Sequence, residues 1–233
     1  MAEPSEALTL VRQSTTIRAK ALRAHGRILN VFLQMQIAAH KGNPDIEKSI
    51  GLIAADLPPC FAGDDDDDRV YSYIVAQSFL AIIAEFENLL VEVMSAVVSF
   101  YPQKLGNESF RLSDILELGD QATIVRAASE RYINAIMYKR ASEYRKALVD
   151  LLSADPDFLS DEWAAYVECK ARRDVGVHNG WKLNETYKRK LAEVGVTPSP
   201  DVYLAPSNDY FFNSLELLAN MAKAISDHCQ TKF

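Results

Sequence analysis

An all-α fold is what this sequence predicts: a bundle of helices around one long apolar helix. Apolar residues recur at spacings of three and four along much of the 233-residue chain, and no alternating strand pattern lasts more than a few residues. Residues that cap or stop helices bracket the periodic stretches. A hydrophobic fraction of 48% and a charged fraction of 24% describe an ordinary globular chain, long enough to bury a sizeable core.

The elements follow in order. Residues 5–39 read as a long helix, with Leu22, Leu29, Phe32 and Leu33 in helical period and Gly42-Asn43-Pro44 ending it. Lys20, Arg23 and Arg27 share one face of that helix. Asn43 caps a shorter helix running to about Asp56, and Pro58-Pro59 stops it. The run Asp64 to Asp68 predicts an exposed, mobile loop, because five adjacent carboxylates repel one another. It lacks the glycine and glutamate positions of a calcium-binding EF-hand loop. Val70 to Tyr101 is the central helix, stopped by Pro102. Glu85, Glu87 and Glu92 interrupt its apolar run, so it reads as a buried core helix and not as a membrane span. Further helices are expected at 112–118, 121–138 and 141–152. Ser160 caps the next, with Asp161 and Glu162 in its first turn and Gly180 as its stop. A short helix starts near Asn184 and closes at Gly195; Val202 to Leu204 is extended; Ser207 or Asn208 caps a last helix to about Cys229. On this reading 1–69 form an N-terminal helical extension with an acidic loop, and 70–233 form the bundle.

The net charge of −7 is unevenly spread. Six basic residues and no acid lie between Arg12 and Lys41, and seven basic residues face two acids between Lys170 and Lys190. From Asp45 to Glu117 fourteen acids face four basic residues. Such a chain can repel polyanions on one side and attract them on another; the plainer reading of the basic segments is solvated helix faces. Cys60, Cys169 and Cys229 form no disulfide or metal-ligand pattern, and Met1 to Glu6 lack signal-peptide architecture, which together predict a cytoplasmic protein. The four histidines lack ligand spacing, and no Walker phosphate loop, dinucleotide-binding glycine fingerprint or Gly-x-Ser-x-Gly elbow is present, so no metal and no cofactor is expected.

The stretch Ala171 to Gly180 points most clearly at chemistry. Arg173 can hold a phosphate, His178 can move a proton near neutral pH, and Asp174, four residues from His178, can orient the imidazole. The plainer reading of His178 is a helix-end histidine satisfying exposed carbonyls. On an ideal helix Arg173 and His178 point about 140° apart. Either the helix ends or distorts before His178, or the site borrows an arginine from a second subunit. Arg172, Lys182, Lys188, Arg189 and Lys190 can track an RNA backbone. Asn179, Asn184 and Tyr187 can contact a base or position the histidine, or else serve as caps and local packing. Trp181 and Tyr187 also suit an interface.

The string Arg172-Arg173-Asp174-x-x-Val177-His178-Asn179-Gly180 resembles the signature of the HEPN superfamily: arginine, a polar residue, a few others, then histidine. Glu85-Phe86-Glu87-Asn88-Leu89-Leu90 followed by Tyr101-Pro102-Gln103-Lys104-Leu105 is similar to the first core helix of bacterial HEPN proteins. Asn184-Glu185-Thr186-Tyr187 matches the short polar and aromatic turn that often follows their motif. The resemblance runs from Val70 onward, and Asp174 stands where many active members carry asparagine. It implies an all-α HEPN-like bundle, a homodimer with a composite active site, and a metal-independent endoribonuclease acting as a toxin or in antiviral defence. An antitoxin or other defence-system protein is then an expected partner. The resemblance equally allows a non-catalytic interaction module, and a third reading makes the chain an adaptor that binds through its basic N-terminal helix.

Overall fold

The computed structural model describes residues 42–233 except Ala62, 106–108 and Phe110, together with the exposed helical positions Lys20, Ala24 and Arg27. The expected helix over 5–39, and Arg23 with it, otherwise lies outside the described residues. Among the described residues are eight α-helices, α1 (Pro44–Asp56), α2 (Asp66–Phe100), α3 (Leu112–Leu118), α4 (Gln121–Met137), α5 (Ala141–Leu152), α6 (Ser160–Asn179), α7 (Glu185–Ala192) and α8 (Asn208–Lys232), with one 3-10 turn, Pro102–Leu105, after α2. The described residues form no strand; Val202 to Leu204 run extended beside 181–183 through one antiparallel bridge, Lys182 to Tyr203. The fold is all-α.

At 1.5 Å per residue the 35 residues of α2 reach about 52 Å, and the other helices pack along it. Phe79, Ile82, Ile83, Phe86, Leu90, Val93 and Val97 recur at spacings of three and four and are buried by α4, α5, α6 and α8. α2 is the one described helix long and apolar enough to cross a membrane. Its buried stripe is filled by this chain's own helices.

Helix α2 begins at Asp66, four residues before the expected start, inside the acidic run. Asp65 is its N-cap, its side chain accepting from the Asp68 N–H at 2.9 Å, and Asp66 to Asp68 form the first turn. Asp64, Asp65, Asp66 and Asp68 are exposed, as expected, and Asp67 is half-buried, but the run belongs to a helix start: the unpaired amide groups and the positive end of the dipole offset the mutual repulsion. Arg69 closes the preceding loop by donating to the carbonyls of Phe61 (3.2 Å) and Leu57 (3.0 Å), and Phe61 joins the main core. Helix α6 also departs from expectation at its start. Its N-cap is Leu159, in left-handed backbone with no side-chain cap, while Ser160 turns its hydroxyl to Asp161. The cap at Asn43 forms as read from the sequence; of the two candidates for the last helix Ser207 is the cap, and Asn184 takes the capping role that stood as its plainer reading.

Candidate functional site

Helix α6 carries the motif and remains α-helical through Asn179. Gly180 (φ +55°) and Trp181 (φ +66°) then turn the chain back in left-handed backbone, with the Trp181 N–H on the Val175 carbonyl at 3.2 Å. Trp181 folds under its own helix. Its ring lies so close to Gly176 that a Cβ there would sit 2.7 Å from ring carbons, and its other neighbour is Phe79 of α2. The indole is buried within the chain, so the interface role open to it in the sequence is not available. This turn fixes the end of the helix and leaves His178 exposed.

The two adjacent arginines of the motif point to different places. Arg172 donates from Nε to Glu168 Oε1 (2.8 Å) and from Nη1 to the Leu204 carbonyl (3.2 Å), and its guanidinium lies 4.1 Å from the Tyr210 ring centroid. Glu168 also accepts from the hydroxyls of Tyr187 (2.6 Å) and Tyr210. One carboxylate thereby ties α6 to α7 and α8. Arg172 and Tyr187 were expected at an RNA surface. The structure commits both to this part-buried cluster, because Glu168, one turn before Arg172, needs donors once it is mostly desolvated. Burial foremost, then the Glu168 carboxylate, pushes the Tyr187 hydroxyl up from its ordinary pKa and keeps it a donor. Asn184 is likewise taken, as the cap accepting from Tyr187 N–H at 2.9 Å, and Asn179 donates to the Lys182 carbonyl at 2.5 Å. Lys182 and Lys188 border a separate groove with Ser199 and Asp201, and Lys188 pairs with Glu185 at 2.8 Å.

Arg173 and His178, with Asp174, line a cavity of about 670 Å³ between α6, α7, the α4–α5 turn and α2. The helix does not end before His178; the cavity is wide enough to meet both side chains. Arg189 and Lys190 come from α7, Lys139 and Arg140 from the α4–α5 turn, and Lys170 from α6 itself. Six cations therefore face three acids, Glu87, Asp174 and Glu193, in a chain whose overall charge is −7. Such a concave basic surface attracts a polyanion whatever the net charge.

Asp174 does not orient His178. Its Oδ1 accepts from Arg173 Nη1 at 3.0 Å and its Oδ2 from Lys190 Nζ at 2.7 Å, so both carboxylate oxygens are taken by cations within reach. Burial raises the Asp174 carboxyl, but the Lys190 ammonium and the Arg173 guanidinium overcome it and hold its pKa below the usual value. Among the described residues the His178 ring forms no hydrogen bond, so it is free to meet a ligand. Arg173 Nε is buried and has no hydrogen-bond partner among the described residues. A donor left so costs about 1–3 kcal/mol, a deficit that a bound anion would remove.

At the inner end of the cavity Lys170 pairs with Glu87 of α2, beside Tyr144 and Tyr166. At its rim stands Tyr138, 90% exposed, next to Lys139 and Arg140. Sequence reasoning passed over Tyr138, Glu87 and Glu168. The aromatic–basic tripeptide Tyr138-Lys139-Arg140 in a helix-joining turn, and the four-residue spacing of Glu168 to Arg172, were the available signals.

No family model matches the chain, and no curated protein and no solved structure gives a significant match.

Proposed function

We propose that this chain is a cytoplasmic, metal-independent endoribonuclease of HEPN type, acting as a homodimer in toxin–antitoxin or antiviral-defence biology. The observation that carries this reading is that Arg173 and His178 line one cation-rich cavity. Arg173 holds the scissile phosphate, using the Nε–H that lacks a partner among the described residues, and stabilises the charge that gathers on the phosphorane oxygens. His178 transfers the proton, taking it from the ribose 2′-hydroxyl or giving it to the departing 5′-oxygen. The 2′-oxygen bonds to phosphorus as the P–O5′ bond breaks, leaving a 2′,3′-cyclic phosphate and a 5′-hydroxyl. The substrate is RNA, because DNA has no 2′-hydroxyl. A second subunit supplies whichever of the two acid–base roles the first His178 does not fill. Arg189 and Lys190 attract the strand through its phosphates.

One observation favours the alternative, a non-catalytic interaction module that binds a protein partner. Asp174 occupies part of the Arg173 guanidinium and sets a negative charge where the phosphate would lie. The two readings part on one variant. His178→Ala abolishes cleavage under the first while thermal unfolding and oligomeric state stay as in the wild type; cleavage that survives the substitution removes His178 from the mechanism.

A further inference from the structure

Tyr138 is the most exposed large apolar side chain among the described residues, and the one of that exposed group that lines the cavity. Isolated apolar side chains on a surface are ordinary, so exposure alone decides nothing. Three further observations give this ring a use. The first is its mounting, a turn pinned to the core. The Tyr138 N–H donates to the Asn134 carbonyl at 3.2 Å and the Lys139 N–H to the Ile136 carbonyl at 3.0 Å. Trp163 Nε1, from α6, donates to the Ala141 carbonyl at 2.8 Å. The ring is therefore held out on a fixed base, and among the described residues no other ring and no cation covers it.

The second observation is where the cavity keeps its surplus charge. Lys170 is bound to Glu87, and Arg173 and Lys190 are bound to Asp174. Lys139, Arg140 and Arg189 are exposed, form no ion pair among the described residues, and are set against one unpaired acid, Glu193. The excess positive charge thus lies at the mouth, and Tyr138 directly precedes two of the residues that carry it. The third observation is that the inner end is closed. Tyr144 and Tyr166 are buried there against Trp163 and Phe86, so a strand held at Arg173 has to place its bases at the mouth.

Cations with an aromatic ring among them suit a single strand: the cations track its phosphates and the ring stacks on a base face. A duplex offers no such face along its length, because its bases stack on one another and show only their edges in the grooves. Transfer from the 2′-oxygen asks for the same substrate. That oxygen has to come in line with the departing 5′-oxygen, an arrangement that an A-form helix prevents and a single strand can reach.

We propose that Tyr138 is a stacking platform for an unpaired base and that the cavity takes single-stranded RNA, with Lys139, Arg140 and Arg189 on the phosphates that flank the one at Arg173. The inference rests on the ribonuclease reading and narrows its substrate from RNA to unpaired RNA.

Fluorescence anisotropy with the full chain in EDTA tests it. The probe is a short 2′-O-methyl RNA, which the proposed reaction cannot cut, alone and annealed to its complement. The single strand is expected to bind about tenfold more tightly than the duplex. Tyr138→Ala is expected to weaken single-strand binding about tenfold while duplex binding, oligomeric state and unfolding midpoint stay as in the wild type. Tyr138→Phe, which keeps the ring, is expected to bind as the wild type does; Tyr138→Leu, apolar but without a flat face, is expected to behave as Tyr138→Ala. Equal affinity for strand and duplex, or a Tyr138→Ala effect that is absent or the same on both, overturns the platform and leaves the ribonuclease reading standing. A changed oligomeric state in Tyr138→Ala assigns the ring to a protein interface and overturns the platform as well. No binding of either form, with native RNA still cut in a His178-dependent way, overturns the platform alone. No binding and no cleavage overturns the platform and the ribonuclease reading together.

Discussion

Gly176 is the residue at which the motif helix gives up a side chain so that Trp181 can fold beneath it. Alanine is the better helix former by about 1 kcal/mol, so on propensity alone Gly176→Ala would stabilise. The structure reverses the sign. The new Cβ would lie 2.7 Å from a buried indole pressed between α6 and Phe79, on a residue already in left-handed backbone. We expect Gly176→Ala to destabilise by about 1–3 kcal/mol in urea unfolding; unchanged or raised stability would mean that the indole is free to move. Asp174 is the second residue whose role turns on its neighbours. Its pKa is depressed, so the stability it contributes is present above the ordinary carboxylate value, about pH 4, and is lost as pH falls through the folded value. Asp174→Asn should lack that component of acid unfolding. By releasing Arg173 and Lys190, it should also tighten RNA binding several-fold and steepen its salt dependence. An RNA affinity that stays the same would show that the carboxylate does not compete with the phosphate.

At the scale of elements, α6 is a helix with two polar faces, one spent on the fold and one open to the cavity. Glu168 governs the first, accepting from Arg172, Tyr187 and Tyr210 and so fastening three helices together. Glu168→Ala leaves the part-buried Arg172 guanidinium without its counter-charge and is expected to cost about 1–3 kcal/mol in urea unfolding. A loss below about 1 kcal/mol would place the three donors in water. The sequence could show that Arg172 and Arg173 lie about 100° apart on one helix, but not which of them faced outward. That choice depends on Tyr210, from a helix that starts well beyond the motif. Caps are another matter. Asn43, Asn184 and Ser207 were readable because each serves amide groups two or three residues away. The start of α2 was misread because five adjacent acids suggest repulsion until a helix terminus is placed beneath them.

At the scale of the molecule, the acidic chain concentrates cations in one concavity. The all-α class and most helix bounds were legible because periodicity and capping are local. The cavity was not, since its wall joins α2, the α4–α5 turn, α6 and α7 from positions up to about a hundred residues apart. Of the residues offered from sequence, Arg173, Asp174, His178 and Arg189 meet on it, whereas Arg172, Asn184 and Tyr187 serve the scaffold. The central claim is that this concavity breaks RNA through the ribose 2′-hydroxyl. The most direct measurement is the chemistry of the ends left when the purified chain meets total RNA in EDTA. The account predicts 2′,3′-cyclic phosphate and 5′-hydroxyl ends that disappear with His178→Ala. Ends bearing a 5′-phosphate, or cuts that persist without His178, would contradict it.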